Sequence, residues 1–252
     1  MGARVHPTAV VDARAELVGD VEVGPYAVVG PEVRIGTGSS LSAHAVIFGP
    51  TTLGMDNRVH SFAVIGGPPQ HKRAFSPNES RLVIGDRNTF REHVTVHRGT
   101  EGGPTRIGSD NLFMVGAHVA HDANVGSFCT LANAVQLAGH ATVEDHATFG
   151  GLSGVAQFVT VGQSAFVAAG SMCERRVPPF VIVQGDRARV RALNVVGLRR
   201  RGVSEASIEK LQAAFRALFG GGAPRAAALR EVPRDDPFVS SLLDALLASE
   251  GP

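Results

Sequence analysis

The sequence predicts a parallel β-helix with a short helical tail, and three observations predict it. One large aliphatic residue recurs at every sixth position over long stretches. Glycine often follows it, as at Gly24, Gly30, Gly36, Gly54 and Gly66. Large rings are scarce: aromatics make up 6% of the 252 residues, tryptophan is absent, and glycine reaches 30. At 44% hydrophobic residues the chain can bury a large core, but that core must be a regular lattice of small aliphatic side chains.

The repeat comes in three runs. The first goes from Val5 through Val11, Leu17 and Val23, six residues at a time, to Ile65. The second is Ile84, Phe90 and Val96, and the third goes from Ile107 to Val167. The position two before is usually small or polar, as at Ala27, Ser39, Ala117 and Ala141. A helix cannot use this pattern, because a period of six drifts around a cylinder of 3.6 residues per turn. A β-sandwich rich in valine does not hold one register for so long. Three short strands per coil do, with each hexad forming one side of a triangular prism. Coils stack at about 4.8 Å, so about 25 hexads give about eight coils and a prism of roughly 40 Å. Glycine is expected at corners that require positive φ.

Two interruptions break the phase. Residues 66–82 (GGPPQHKRAFSPNESRL) and 97–106 (HRGTEGGPTR) carry proline, glycine and charge, and are expected to leave the prism as loops. Loops on a rigid scaffold are where sites are built. Composition changes after Val177-Pro178-Pro179, and a division into residues 1–186 and a helical part 187–252 is expected. Ser204 predicts an N-cap for a helix to Phe219, with Ile208, Leu211, Phe215 and Leu218 as its apolar stripe. A second helix is expected from Asp236 to Ser249.

Composition excludes several classes. Cys129 and Cys173 form no CxxC pair, so neither a disulfide framework nor a cysteine-based zinc site is expected. The first twenty residues contain acids and a proline, unlike a signal peptide, and no 18-residue apolar run exists. A cytoplasmic protein without a transmembrane segment is expected. The net charge of +1 does not point to nucleic acid.

His97, His118, His121 and His140 carry the chemical signal. Val119 takes the inward position, so His118 and Ala120 point outward and His121 lies near the next corner. Gly139 is one full coil beyond His121 and is expected about 5 Å from it along the prism. Two imidazoles and an exposed backbone N–H then share one patch. That grouping suits acyl transfer: a neutral imidazole takes a hydroxyl proton, Asp122 orients the ring, and the Gly139 N–H holds the oxyanion. The plain reading is a solvated surface histidine, and a third is a zinc site on outward histidines of stacked coils. Between Arg175 and Arg201 stand eight arginines and one acid, Asp186. They read either as a solvated face or as a dock for an acidic partner or a diphosphate. No aromatic platform accompanies them for nucleic acid.

Several stretches carry a resemblance: IGDRNTFREHVTVHRGT (84–100), GSDNLFMVGAHVAHDANVG (108–126), LANAVQLAGH (131–140), VPPFVIVQGD (177–186) and NVVGLRRRG (194–202). With the opening HPTAVVD, they resemble the acyl-carrier-protein–UDP-N-acetylglucosamine O-acyltransferases, from residue 5 to about 220. The hexad pattern itself is similar to left-handed β-helices, and the hand is taken from that likeness. The resemblance implies a homotrimer with sites between neighbouring prisms. It implies transfer of a 3-hydroxyacyl chain from acyl carrier protein to the glucosamine 3-hydroxyl, the first step of lipid A synthesis. It implies no metal and no soluble cofactor. His121 falls on the general base, Asp122 on its orienting acid and Gly139 on the oxyanion donor. Gln70, His71, Arg73, His118 and His140 fall on substrate positions, and Gln157, Asn194, Arg200 and Arg201 on positions near the nucleotide. Ala169 falls where acyl length is set, which implies an intermediate chain.

The sequence departs from the family at three places. The usual Gln-Asp-x-Lys reads Gln70-His71-Lys72-Arg73, Ala156 replaces a histidine before Gln157-Phe158, and Val196 replaces a glutamate. These changes leave room for an amino-substituted UDP-sugar as acceptor. Three competing functions share the coil: a sibling N-acyltransferase, a β-helical hydratase of the carbonic anhydrase type, and a scaffold that only binds acyl carrier protein. The sibling normally carries a domain before its coil, whereas hexads here begin at Val5.

Overall fold

The computed structural model describes residues 2–72, 80–100, 103–221 and 225–248. The parallel β-helix expected from the hexads is the observed fold, a solenoid of about ten turns followed by helices. The expected count of about eight is too low. The coil continues through Met172–Cys173 and Val181–Gln184, beyond the last clean hexad.

Strands stack into three faces. The first begins at Arg4–Val5, the second at Val10–Val11 and the third at Glu16–Leu17. Among the described residues they hold eleven, nine and eight strands. Register follows the repeat: Val5 lies beside Val23, and Val119 beside Leu137. The sixth-position aliphatic points inward in each strand, so Ile35, Ile47, Phe113 and Leu137 are fully buried. The first turn is open, and Val5 keeps 44% of its surface. Inside one corner a polar ladder replaces aliphatics. Asn57, Asn88 and Asn111 pass hydrogen bonds from coil to coil and end on the Cys129 N–H. This satisfies side chains that would otherwise be costly to bury.

Two expectations about the coil are corrected. Left-handed corners are held mostly by other residues, among them Tyr26, His44, Asp122 and His140, with φ of 56°, 61°, 59° and 60°. Glycine after the inward residue instead permits close approach: a Cβ on Gly36 would sit 2.6 Å from the Gly54 carbonyl carbon. The interruptions are also shorter than their punctuation suggested. Gly66 and Gly67 end the strand Val64–Gly67, and Leu82 opens Leu82–Ile84. His97 ends Thr95–His97, and Thr105 opens Thr105–Ile107. Both interruptions run from the second face to the third, so both rise from the same edge of the prism.

The last coil strand, Val181–Gln184, turns back as an antiparallel hairpin with Arg189–Leu193, which leads into the tail. Among the described residues four helices follow: α1 (Val195–Arg200), α2 (Glu205–Phe219), α3 (Arg225–Glu231) and α4 (Pro237–Leu247). The two helices read from sequence are α2 and α4. Ser204 caps α2 by accepting from the Ser207 N–H, and Asp236 caps α4 by accepting from the Phe238 and Val239 N–H groups. The apolar stripe of α2 meets Leu242, Leu243 and Leu246 of α4, with Phe180 from the end of the coil. Each fully buried leucine contributes about 1.5–3 kcal/mol. Arg201 lies over the Phe238 ring and donates to Gln163 and Ser164. Among the described residues no helix is long and apolar enough to cross a membrane.

Candidate active site

The edge between the second and third faces carries the constellation. His118 opens the second-face strand His118–Val119, and His121 and Asp122 turn the corner that follows. Asp122, His140 and Phe158 occupy the same corner on three successive coils, each left-handed. His140 stacks on Phe158 with 4.6 Å between ring centres. The His140 N–H donates to the His121 carbonyl at 3.0 Å, which fixes the coil-on-coil register.

His121 is buried, and its Nδ1 lies 2.7 Å from Asp122 Oδ2. With Nδ1 donating to the carboxylate, a neutral ring presents an unprotonated Nε2. That nitrogen faces Gly139. A Cβ added there would stand 2.7 Å from His121 Cε1 and 2.9 Å from Nε2, so only glycine lets the ring lie flat on the chain. No acceptor meets the Gly139 N–H among the described residues. The His121 ring and the Gly139 backbone therefore lie against each other one coil apart, as the spacing required.

Further imidazoles surround this pair. His71 meets His121 edge-on at 5.7 Å, and His140 does so at 5.4 Å. His118 lies 5.2 Å from His97, with its Nδ1 on Thr95 Oγ1. Burial, with His97 and His121 adding, pushes the His118 pKa from 6.5 down to about 4, so His118 is neutral at pH 7. Burial opposes charge on Asp122, but the Thr100 N–H, His121 and the Thr100 hydroxyl outweigh it and lower its pKa. The donor atoms of His121, Asp122 and His140 all lie within 4.8 Å of one another.

A groove of about 530 Å³ leaves His118 along the second face. Leu137, Gly154, Val155 and Met172 line it. Met172 ends the outward row His118, Gln136, Gly154, Met172, one residue per coil.

The structure brings together His71, His118, His121, Asp122, Gly139 and His140. Gln157 follows Gly139 by one coil and is exposed, as is Gln70 on its loop. Arg73 lies outside the described residues. Asn194, Arg200 and Arg201 sit elsewhere, around a cleft of about 420 Å³ with Phe128 and His146. That cleft follows the edge between the third face and the first. Asn194 caps α1 and donates to the Ser164 carbonyl, and Arg201 is held by Ser164 and Gln163. Arg200 is exposed and makes no ion pair among the described residues. Ala169 is exposed beside the edge between the first and second faces and does not line the groove. Sequence reasoning missed Thr95, Thr100 and Met172.

Comparison with known proteins decides the family. A family profile described as UDP N-acetylglucosamine O-acyltransferase, domain 2, matches residues 177–251. The acyl-[acyl-carrier-protein]–UDP-N-acetylglucosamine O-acyltransferase of Stenotrophomonas maltophilia is 44% identical, covering 99% of this chain and 97% of its own. The chain belongs to that O-acyltransferase family. Its namesake in an Anaeromyxobacter species is also 44% identical, over 94% of this chain and 96% of its own. A UDP-N-acetylglucosamine acyltransferase structure from Bacteroides fragilis superposes with a TM-score of 0.92 at 34% identity, over 98% of each chain. The one from Campylobacter jejuni does so with 0.92 at 34%, over 98% of this chain and 97% of that one. As a member of the O-acyltransferase family, the protein is an acyltransferase.

Proposed function

We propose that this protein moves a 3-hydroxyacyl chain from the thioester of acyl carrier protein to the 3-hydroxyl of UDP-N-acetylglucosamine, the first step of lipid A biosynthesis in the cytoplasm. The names of its relatives support both substrates. The observation that carries the mechanism is the close approach of the His121 ring to Gly139, whose N–H has no acceptor among the described residues. His121 takes the proton of the sugar hydroxyl as its oxygen attacks the thioester carbonyl. The Gly139 N–H holds the resulting oxyanion. Collapse of that intermediate breaks the C–S bond, and the departing thiolate takes the proton back from the imidazolium. The products are an ester and the free thiol of the carrier. Neither cysteine offers a nucleophile of its own: burial raises both thiols to about 12.

The groove on the second face takes the acyl chain, with Met172 as its stop. Ala169, at the position where the family resemblance sets acyl length, lies outside this copy's groove and meets the chain from a neighbouring copy, which gives a chain of intermediate length. Asn194, Arg200 and Arg201 stand at a different edge from His121, so one chain cannot offer both to one substrate. This supports a homotrimer in which the Arg200 edge of one copy faces the His121 edge of the next. Arg200 then meets the diphosphate, with His71, His118, His140 and Gln157 on the sugar. The exposed arginines near Arg175 and Arg187 suit an acidic carrier protein. Residue 186 is the proposed border between the catalytic coil and the docking tail.

The replacement of an acid by His71 favours one variant reading, an amino-substituted UDP-sugar acceptor. Mass spectrometry of products from UDP-N-acetylglucosamine and a mixed pool of 3-hydroxyacyl carrier proteins decides it. A 3-O-acyl product is expected. Silence with that sugar and an amide with its 3-amino analogue would move the acceptor. Stoichiometric zinc required for activity would replace transfer by metal-assisted hydration.

A further inference from the structure

We infer that Thr100 is a positioning residue of the acyltransferase site, holding the carboxylate that orients the base. This rests on the reading of His121 as that base. Asp122 has two oxygens, and Thr100 reaches both. Its N–H donates to Oδ1 at 2.8 Å and its hydroxyl donates to Oδ2 at 2.9 Å. Oδ2 is the atom that also accepts from His121 Nδ1. The carboxylate therefore cannot turn about its Cβ–Cγ bond without giving up Thr100.

The other end of the same interruption grips the backbone of Asp122. Thr105 Oγ1 accepts from the Asp122 N–H at 2.8 Å, on a residue whose φ is +59°. Thr100 and Thr105 thus hold Asp122 from two sides. Gly99 permits the approach, since a Cβ there would lie 3.0 Å from Asp122 Oδ1 and 2.0 Å from the Gly103 carbonyl oxygen.

The hydroxyl matters because Oδ2 has a competitor. His140 Nε2 stands 3.5 Å from it, just beyond a good hydrogen bond. With Thr100 and His121 filling Oδ2, His140 is left for substrate. Without the hydroxyl the carboxylate can swing to His140 and release the Nδ1–H that fixes the His121 tautomer. A hydrogen bond to a charged group is the kind whose loss is felt most.

The test compares Thr100→Val with Thr100→Ser in the full-length protein. Valine keeps the shape and the backbone N–H but loses the hydroxyl, whereas serine keeps the hydroxyl. Thr100→Val is expected to lower kcat about tenfold or more. KM for both substrates and the melting temperature should stay near wild type, and Thr100→Ser should restore kcat. In an Asp122→Asn background, Thr100→Val should add almost nothing, because both act through one contact. Wild-type kcat in Thr100→Val, equal losses in the valine and serine variants, or full additivity with Asp122→Asn would each overturn the inference. A His121→Ala control separates the two levels. If it is dead while Thr100→Val is fully active, only the role of Thr100 falls. If it retains full rate, the general-base reading falls as well.

Discussion

Two of the prism's three edges, both carrying imidazoles on the same backbone, do different things with them. At the edge between the first and second faces, Tyr26, His44, Phe62 and His93 stack in one row, with ring centres 5.1–5.3 Å apart. At the edge between the second and third faces, His140 stacks on Phe158 in the same way. His44, His93 and His140 have φ of 61°, 60° and 60°. The ladder geometry is therefore not what makes a site. The first edge turns tightly on every coil, and its rings stack on one another. The second edge receives both interruptions, which lay His71 and Thr100 over the corner and bury His121. A plain corner becomes a reactive one when inserted chain supplies a second layer of contacts.

The largest test of this contrast is a pair of alanine variants. His121→Ala should lower kcat/KM by about 10²–10⁴, the span of general-base catalysis. His44→Ala should leave the rate unchanged and cost at most about 1.5 kcal/mol of stability from lost ring contacts, read by denaturant melts. Next in size is Gly139→Ala. The matching position before His44 is already Ala43, but at Gly139 a Cβ meets the His121 ring at 2.7 Å. A loss of about 10²-fold in kcat is expected, with Ala43→Gly silent. Met172→Gly comes third. Opening one coil frees ~4.8 Å, room for about four more methylenes at ~1.3 Å per bond, so competition assays should favour longer acyl chains. The smallest effect is on stability. Folding holds the His118 pKa at about 4 against an ordinary 6.5, so the unfolded chain binds more protons between those values. Stability is complete above pH 6.5 and falls as the pH drops towards 4. His118→Gln should flatten that slope in melting curves.

How far the sequence can be read differs between these regions for one reason. Within an uninterrupted run, position along the chain gives position in space by simple counting. Counting alone places Val119, His121 and Gly139 and turns His118 outward. Counting fails across an insertion. Nothing in HRGTEGGPTR announces that its fourth residue returns to Asp122, so Thr100 stays hidden. It fails again where the repeat ends. The strand Arg189–Leu193 reads as a bare arginine run, and α1 is too short to show a period. Met172 escapes notice because its importance lies in a groove made by four coils together, not in any local pattern. The resemblance names Asn194 and Arg201 as ligand positions, but it cannot show that their polar groups already tie the tail to the coil.

The placement of Arg200 and His121 on different edges has a genetic consequence. In the proposed ring of three, a reaction centre borrows one half from each of two polypeptides. Two crippled alleles, one lacking His121 and the other lacking Arg200, could then rescue each other when co-expressed. Random mixing would restore about a quarter of the centres, each uniting an intact half from either parent. A cell carrying both alleles would grow where neither alone suffices.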